Sequence, residues 1–146
     1  MNPKSKGKET ILFICTHNSA RSQMAEGLIN TLFPDRFEAF SAGTDPLWVH
    51  PYAILVMEEM GIDISQAHAK SLDEFQSETF DYVVTVCDNA KEQCPFFPNA
   101  RSMIHKSFEN PSSIQGGGEE TLRAFRKTRD AMKIWLTKEF DEHGQN

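Results

Sequence analysis

Short apolar runs alternate along the chain with stretches in which apolar residues recur at helical spacing. Four of the apolar runs have the length of β-strands: Thr10–Ile14, Phe37–Ser41, Tyr82–Val86 and Ser102–His105. The first run is apolar at nearly every position, which is typical of a strand buried on both faces of a parallel sheet. The pattern therefore predicts a sheet with a buried central strand.

Helices are predicted between these strands. Helical spacing covers Ser19–Leu32, His50–Met60 and Glu119–Glu142, and the segment Ser71–Phe75 is a short helix with a capping-box pattern from Ser71 to Glu74. The alternation of strands and helices predicts the α/β class, as a three-layer doubly wound domain around a four-stranded parallel sheet. In such domains ligands bind beyond the carboxyl ends of the strands.

Composition narrows the class of protein. The 146 residues are enough for one domain, which we expect over residues 9–146 after a flexible tail over residues 1–8. The formal net charge of −6 makes nucleic acid and anionic membranes unexpected partners. The three cysteines follow no predicted signal peptide, because the first apolar run is too short for one or for a membrane span. Free thiols and a cytoplasmic location are therefore expected.

The most informative segment follows the first strand and runs from Cys15 to Ser22. A loop of this length can turn backbone N–H groups inward at a helix N-terminus, which attracts anions. The same positive field lowers the pKa of a thiol, so Cys15 is a candidate nucleophile. Arg21 offers a planar pair of donors for a tetrahedral oxyanion. The predicted oxyanion-binding loop comprises Thr16, His17, Asn18, Ser19, Ala20 and Arg21.

The other two cysteines lie far along the chain from this loop. Cys87 follows the third predicted strand, and parallel strands end at a common edge, so Cys87 should share the sheet edge with Cys15. A buried structural thiol is the alternative interpretation of Cys87. Cys94 stands before Pro95 in a polar segment, where packing gives little reason for a cysteine. A zinc site is not expected, since the chain has no C-x-x-C or H-x-x-x-H pair.

The segment Cys15–Gly27, with the sequence CTHNSARSQMAEG, resembles the active-site loop and first helix of the thioredoxin-coupled arsenate reductases. These proteins share the fold of the low-molecular-weight protein tyrosine phosphatases. Further matching segments are Phe40–Gly43, Gly61–Ser65, Asp81–Cys87, Cys94-Pro95 and Phe125–Asp130. The resemblance implies reduction of arsenate to arsenite in arsenic detoxification, with phosphate or sulfate as competing oxyanions. It also implies regeneration by thioredoxin, no cofactor and a monomer.

The resemblance also implies a role for each cysteine. Cys15 would attack arsenate while Ser22 donates a hydrogen bond to its thiolate, and Cys87 would then attack Cys15 and release arsenite. Cys94 would attack Cys87 and pass the disulfide to thioredoxin. The transfer requires residues 88–93 to rearrange, and their polar sequence is compatible with a marginal helix that unwinds.

Three positions depart from the family pattern. His17 stands where family members usually have glycine, and as a cation it could aid anion entry or simply point to solvent. Asn110 stands where many members carry an aspartate as general acid. Either Glu109 replaces that acid, or protonated arsenate supplies the proton, or Asn110 only orients the substrate.

The third departure concerns a potassium site that some members have near the loop. Asn18, Glu26 and Ser41 match its ligands, but Lys70 takes the place of an aspartate, so its ammonium could replace the cation and support the loop. No metal is therefore expected. Two alternative functions remain at this stage: a low-molecular-weight protein tyrosine phosphatase with the same loop, and a non-catalytic module that binds oxyanions or senses oxidants.

Overall fold

A computed structural model describes residues 7–88, 96–114 and 116–144, the last three of these for the backbone only. Its sheet is built from four strands: β1 (Glu9–Cys15), β2 (Phe37–Gly43), β3 (Phe80–Thr85) and β4 (Ala100–His105). All strand pairs are parallel and the order is β2-β1-β3-β4. The long apolar run of the sequence thus forms a central strand, as predicted, because β1 has a neighbour on each side.

Three α-helices and two short 3-10 helices complete the described part of the chain. They are α1 (Arg21–Leu32), α2 (Pro51–Glu58), α3 (Gly118–Gly144) and the 3-10 helices Leu72–Phe75 and Pro111–Ser113. The predicted α/β fold with a four-stranded parallel sheet is confirmed. Helix α1 begins two residues later than predicted, because residues 16–20 form a loop instead of a first helical turn. In the described part of the chain, no helix is long and apolar enough to cross a membrane.

The predicted capping box at Ser71 is not formed as expected. Ser71 Oγ accepts from Asp73 N at 3.1 Å, and Glu74 N donates instead to the Ser71 carbonyl at 3.0 Å. The segment Leu72–Phe75 is a 3-10 helix, whose tighter winding brings a different backbone N–H to the capping side chain. The helix predicted from residues 88–93 lies almost entirely outside the described residues.

The two faces of the sheet carry separate cores. Ile11, Phe13 and Cys15 alternate along β1 and pack with buried residues of α1, α2 and α3. Leu12 and Ile14 point to the opposite face, where the core includes aromatic rings from the 3-10 helix and from residue 97. Cys15 therefore ends a strand that is buried on both faces, and this holds the start of the following loop in place.

Helix α3 closes the first core through aromatic contacts near its carboxyl end. Phe140 is fully buried, and its ring lies edge-on against Phe37, Tyr82 and Trp135 at centroid distances of 5.3, 5.5 and 6.4 Å. Ile134 of the same helix is 72% exposed. One helix thus offers a buried and an exposed apolar side chain for comparison.

We expect Phe140→Ala to lower the free energy of unfolding by about 3–5 kcal/mol, because it removes a buried aromatic ring and leaves a cavity. The control Ile134→Ala should change it by less than about 0.5 kcal/mol. Urea unfolding followed by circular dichroism measures both values. Equal losses in the two variants would contradict the assignment of Phe140 to the core.

Candidate active site at the carboxyl edge of the sheet

Cys15 is the last residue of β1, and the loop formed by residues 16–20 joins it to α1. Its thiol is free and the residue is 1% exposed. Arg21 begins α1, so the nucleophile candidate and the arginine lie at the two ends of one short loop. This arrangement follows from the spacing of the sequence, since the strand and the helix each fix one end.

The loop is anchored from outside through its backbone carbonyls. They accept hydrogen bonds from the segment that precedes α2: Thr16 O from Asp45 N at 2.8 Å, His17 O from Leu47 N at 3.1 Å, and Ser19 O from His50 N at 2.9 Å. In a planar trans peptide the N–H points away from the carbonyl of the same peptide unit. Binding the carbonyls to the outer segment therefore turns the following amides toward the interior of the loop, where they can face an anion.

Gly43 allows this loop to pass close to β2. A Cβ atom at position 43 would lie 2.5 Å from Thr16 O and 2.8 Å from Asn18 N. Both neighbours are backbone atoms that cannot move aside without breaking the loop. Glycine is therefore required here by close approach, which explains why the matched segment Phe40–Gly43 ends in glycine.

Asn18 ties the middle of the loop to its surroundings. Its φ is +50°, a left-handed conformation that asparagine tolerates better than most residues. Its Oδ1 accepts from Lys70 N at 2.8 Å and from Gln23 Nε2 at 3.0 Å, and its Nδ2 donates to Ser22 Oγ at 2.8 Å. The acceptors and donors around Asn18 fix which end of the amide faces Ser22.

Ser22 connects this network to the thiol. Ser22 Oγ lies 2.9 Å from Cys15 Sγ, and both residues are buried. Because Ser22 Oγ already accepts from Asn18, its own hydrogen is available for the sulfur. A hydrogen bond donated to sulfur stabilises the thiolate, which is the reactive form of a cysteine.

A small cavity of about 170 Å³ opens between the loop and two neighbouring segments. Its lining residues are Cys15, His17, Ser19, Ala20, Arg21, Leu47, Trp48, His50, Asn110 and Ser112. Arg21 is 3% exposed, and its Nη1 donates to the Phe108 carbonyl at 3.2 Å, so the segment after β4 holds the guanidinium in position. A cavity of this size has room for one tetrahedral oxyanion beside the thiol and the arginine.

The two candidates for a general acid are placed differently. Asn110 lines the cavity, and its Oδ1 accepts from Ser112 N at 3.1 Å and from Ser112 Oγ at 2.8 Å. Glu109 is exposed and lines a separate groove beside α3, not the cavity that holds Cys15. The structure thus places Asn110 at the cavity that holds Cys15 and Glu109 at a different groove.

Cys87 lies two residues beyond β3 and is fully buried. Its side chain belongs to the same buried cluster as that of Cys15. Cys87 takes part in a disulfide, whereas the Cys15 thiol is free, so the disulfide does not join these two cysteines. Cys94 lies outside the described residues.

A polar cluster supports the loop from behind. Ser41 Oγ donates to Glu26 Oε1 at 2.6 Å, and Lys70 Nζ lies 4.0 Å from the same oxygen and donates to the His68 carbonyl at 3.0 Å. Burial raises the pKa of Glu26, although the Ser41 hydrogen bond and the charges of Lys70 and His68 oppose the shift. Within the described ranges, no group of three or more His, Cys, Asp or Glu side chains is arranged to hold a metal ion.

His50 is a residue of the cavity wall that was not predicted from the sequence. His50 caps α2, since its Nδ1 accepts from Tyr52 N at 3.0 Å, and burial lowers its pKa. The signal was present in the sequence, because a side chain that can accept a hydrogen bond stands directly before a proline at the helix start. The anchoring of the loop by residues 45–50 left no such signal, because it runs through backbone atoms.

The fold and the cysteine-arginine loop together define a phosphatase-like α/β protein. Residues 10–138 match the model of the low molecular weight phosphotyrosine protein phosphatase family, and the chain belongs to this family. Its curated relatives include arsenate reductases. The protein from Halalkalibacterium halodurans is 39% identical over 125 residues, covering 86% of this chain and 90% of that protein. The protein from Bacillus subtilis is 38% identical over 135 residues, covering 92% and 96%.

A solved structure of an arsenate reductase is also similar to this chain. An arsenate reductase in the phosphate-binding state superposes with a TM-score of 0.73 and 29% identity, covering 89% of this chain and 95% of that one. The similarity extends over nearly the whole of both chains. Both the predicted fold and the predicted resemblance to arsenate reductases are therefore confirmed.

The buried carboxyl of Glu26 should make the stability of the protein depend on pH. Its folded-state pKa is raised from the ordinary value of 4.5, so it stabilises the fold below that pH and this contribution is lost as pH rises through the folded-state pKa. We expect the free energy of unfolding of the wild type, relative to Glu26→Gln, to fall as pH rises above about 4.5. Urea unfolding over a pH series measures this difference. A difference that stays constant or grows with pH would contradict the assignment.

Proposed function

We propose that this chain is an arsenate reductase that converts arsenate to arsenite through a relay of three cysteines, with thioredoxin as the reductant. The observation that carries the proposal is the cavity in which the Cys15 thiol, supported by Ser22, lies beside Arg21 and the amides of the loop. The curated relatives named arsenate reductase support the substrate. The relative in the phosphate-binding state supports the binding of tetrahedral oxyanions, and phosphate and sulfate are therefore expected to compete.

In the first step, the Cys15 thiolate attacks the arsenic atom of arsenate and an oxygen leaves as water. Arg21 and the loop amides bind the remaining oxygens, where negative charge is concentrated. Donors that are fixed before the substrate binds need no reorganisation during the reaction. The anchoring of the loop by residues 45–50 and by Gly43 supplies this fixed geometry.

In the second step, Cys87 attacks the sulfur of Cys15. A disulfide forms, the sulfur–arsenic bond breaks, and its electron pair leaves with arsenic, which becomes arsenite. Cys94 then attacks Cys87 and frees Cys15 for another turn, and thioredoxin reduces the Cys87–Cys94 disulfide. Two thiols thus supply the two electrons that arsenate needs.

The remaining positions of the site support these steps. Asn18 orients Ser22, and the cluster of Glu26, Ser41 and Lys70 holds the back of the loop. The ammonium of Lys70 takes the role that a bound cation would otherwise have beside Glu26. Asn110 orients the bound oxyanion or its neighbours and does not act as an acid, because an amide has no proton to transfer at neutral pH.

The two alternative functions are less well supported. A phosphatase needs Cys15 and Arg21 only, and it gives no role to Cys87, whose side chain shares a buried cluster with Cys15. A non-catalytic oxyanion sensor gives no role to the hydrogen bond between Ser22 and the thiol. A relay of thiols requires a reducing compartment, so we place the protein in the cytoplasm, and we expect it to act as a monomer.

Arg21→Lys should lower kcat/KM for arsenate on the order of 10- to 100-fold while keeping the charge. The reason is that a point cation cannot hold two oxygens of the substrate, and a hydrogen bond to a charged group is worth about 1.5–3 kcal/mol. Arg101→Lys is the matched control, because Arg101 is 71% exposed on β4 and the kcat/KM of this variant should be unchanged. Steady-state turnover with thioredoxin measures both. A near-wild-type value for Arg21→Lys would contradict the two-pronged role.

The relay predicts different defects for the two other cysteines. Starting from reduced protein, Cys87→Ser should form the arsenic adduct on Cys15 and release no arsenite, because no thiol attacks the adduct. Cys94→Ser should release about one equivalent of arsenite and stop with Cys15 joined to Cys87. Mass spectrometry of trapped disulfides, together with arsenite assays, distinguishes these states.

Two results of this experiment would contradict the relay. Continuous turnover of Cys94→Ser with thioredoxin would show that Cys94 is not part of the relay. Release of arsenite by Cys87→Ser without an added thiol would show that Cys87 is not required to break the adduct. In the first case thioredoxin would reduce the Cys15–Cys87 disulfide directly, and in the second case a group other than Cys87 would resolve the adduct.

A further inference from the structure

The first step of the proposed reaction consumes a proton. Written with balanced atoms and charges, a Cys15 thiolate, dihydrogen arsenate and one proton give a thiol–arsenic adduct of charge −1 and one water. The proton is transferred to the oxygen that leaves as the sulfur–arsenic bond forms. A group that donates this proton from a fixed position accelerates such a step by about 10²–10⁴-fold.

Few of the described residues that line the cavity can donate it. Cys15 is the nucleophile, and Arg21 keeps its proton at every relevant pH. Asn110 and Ser112 are neutral groups that already bond to each other. His50 is kept neutral, because its Nδ1 accepts the capping hydrogen bond from Tyr52 N and burial opposes its charge. His17 is the titratable side chain that remains.

His17 is held in a defined orientation. Its Nδ1 lies 2.9 Å from the Asp45 carbonyl oxygen, which can only accept, so Nδ1 carries a hydrogen. The other ring nitrogen, Nε2, is therefore the atom that gains and loses a proton. The Asp45 carboxylate lies 3.7 Å from the same Nδ1, and Arg21 lines the same cavity. The side chain of His17 is 37% exposed, so solvent can return the proton after each turnover.

We infer that His17, as the imidazolium, donates the proton to the departing arsenate oxygen while the Asp45 backbone carbonyl orients the ring. This inference rests on the proposed arsenate reduction. It assigns the acid of the reaction to the loop between β1 and α1, and not to the segment that carries Asn110. The histidine at position 17, where family members usually have glycine, then serves as the proton donor in this chain.

The test isolates the first step in a Cys87→Ser background, where the reaction stops at the Cys15 adduct. The rate of adduct formation from arsenate is measured by rapid quench and mass spectrometry, with His17 and with His17→Gln. Glutamine keeps a hydrogen-bond donor but cannot transfer a proton. The ratio of the two rates cancels the ionisation of arsenate, which is the same for both proteins.

We expect His17→Gln to be slower by on the order of 100-fold near about pH 6, with the ratio falling toward one near about pH 9, where histidine side chains in general are neutral. In His17→Gly, added imidazole should restore part of the rate, and the restored rate should follow the imidazolium concentration. The control His105→Gln, an exposed histidine outside the cavity, should match its parent at both pH values.

Three results would overturn the assignment. They are an unchanged rate in His17→Gln, a loss of equal size at every pH, and a lack of rescue of His17→Gly by imidazole; the first two fit a proton supplied by arsenate or a structural role. If the Cys87→Ser protein with His17 intact forms no adduct at all, arsenate is not the substrate. That result contradicts the proposed function and is distinct from the other three.

Discussion

The site depends on one constraint, which is that the carbonyls of the loop after β1 are bound from outside by backbone N–H groups of residues 45–50. A trans peptide cannot turn its carbonyl outward without turning its N–H inward. The segment between β2 and α2 therefore determines the direction of the amides that face the cavity. Gly43 is part of the same constraint, because any side chain there would collide with Thr16 O and separate the loop from β2.

This rigidity has an energetic cost that the surrounding network offsets. Asn18 adopts a positive φ, a backbone conformation that costs energy for a residue other than glycine. Such a conformation is retained where contacts with the surrounding residues hold it in place. Its amide makes three hydrogen bonds of 2.8–3.0 Å, to backbone and side-chain groups of Lys70, Gln23 and Ser22. The same amide sets the direction of the Ser22 hydroxyl. The geometry of the loop and the direction of the hydroxyl that faces the Cys15 sulfur are thus two consequences of one side chain.

The sequence predicted the parts of the site that depend on the periodicity of the apolar residues and on the spacing between Cys15 and Arg21. The central strand and the helix start place Cys15 and Arg21, and the parallel sheet brings Cys87 to the same edge. The choice between Glu109 and Asn110 could not be made from sequence, because successive residues of an extended segment point to opposite sides. The role of Asp45 was also hidden, since its contact with His17 uses a backbone carbonyl that every residue has.

An acidic chain that binds an anion must concentrate its positive field locally. The net charge of −6 gives no long-range attraction for an anion, whereas Arg21, the loop amides and the start of α1 act within a few ångströms. A buried guanidinium is screened by salt less than a surface cation, so binding in the cavity should tolerate ionic strength well.

In the proposed reaction, specificity for arsenate arises in the chemical steps after the anion has bound. In that reaction phosphate would compete for the same cavity, but only arsenic would accept the electron pair released when a second thiol attacks Cys15. Cys15 and Cys87 are buried in one cluster, so the second thiol lies on the same side of the sheet as the first. This pairing of thiols, and not the anion-binding loop, therefore favours a reductase over a phosphatase on this fold.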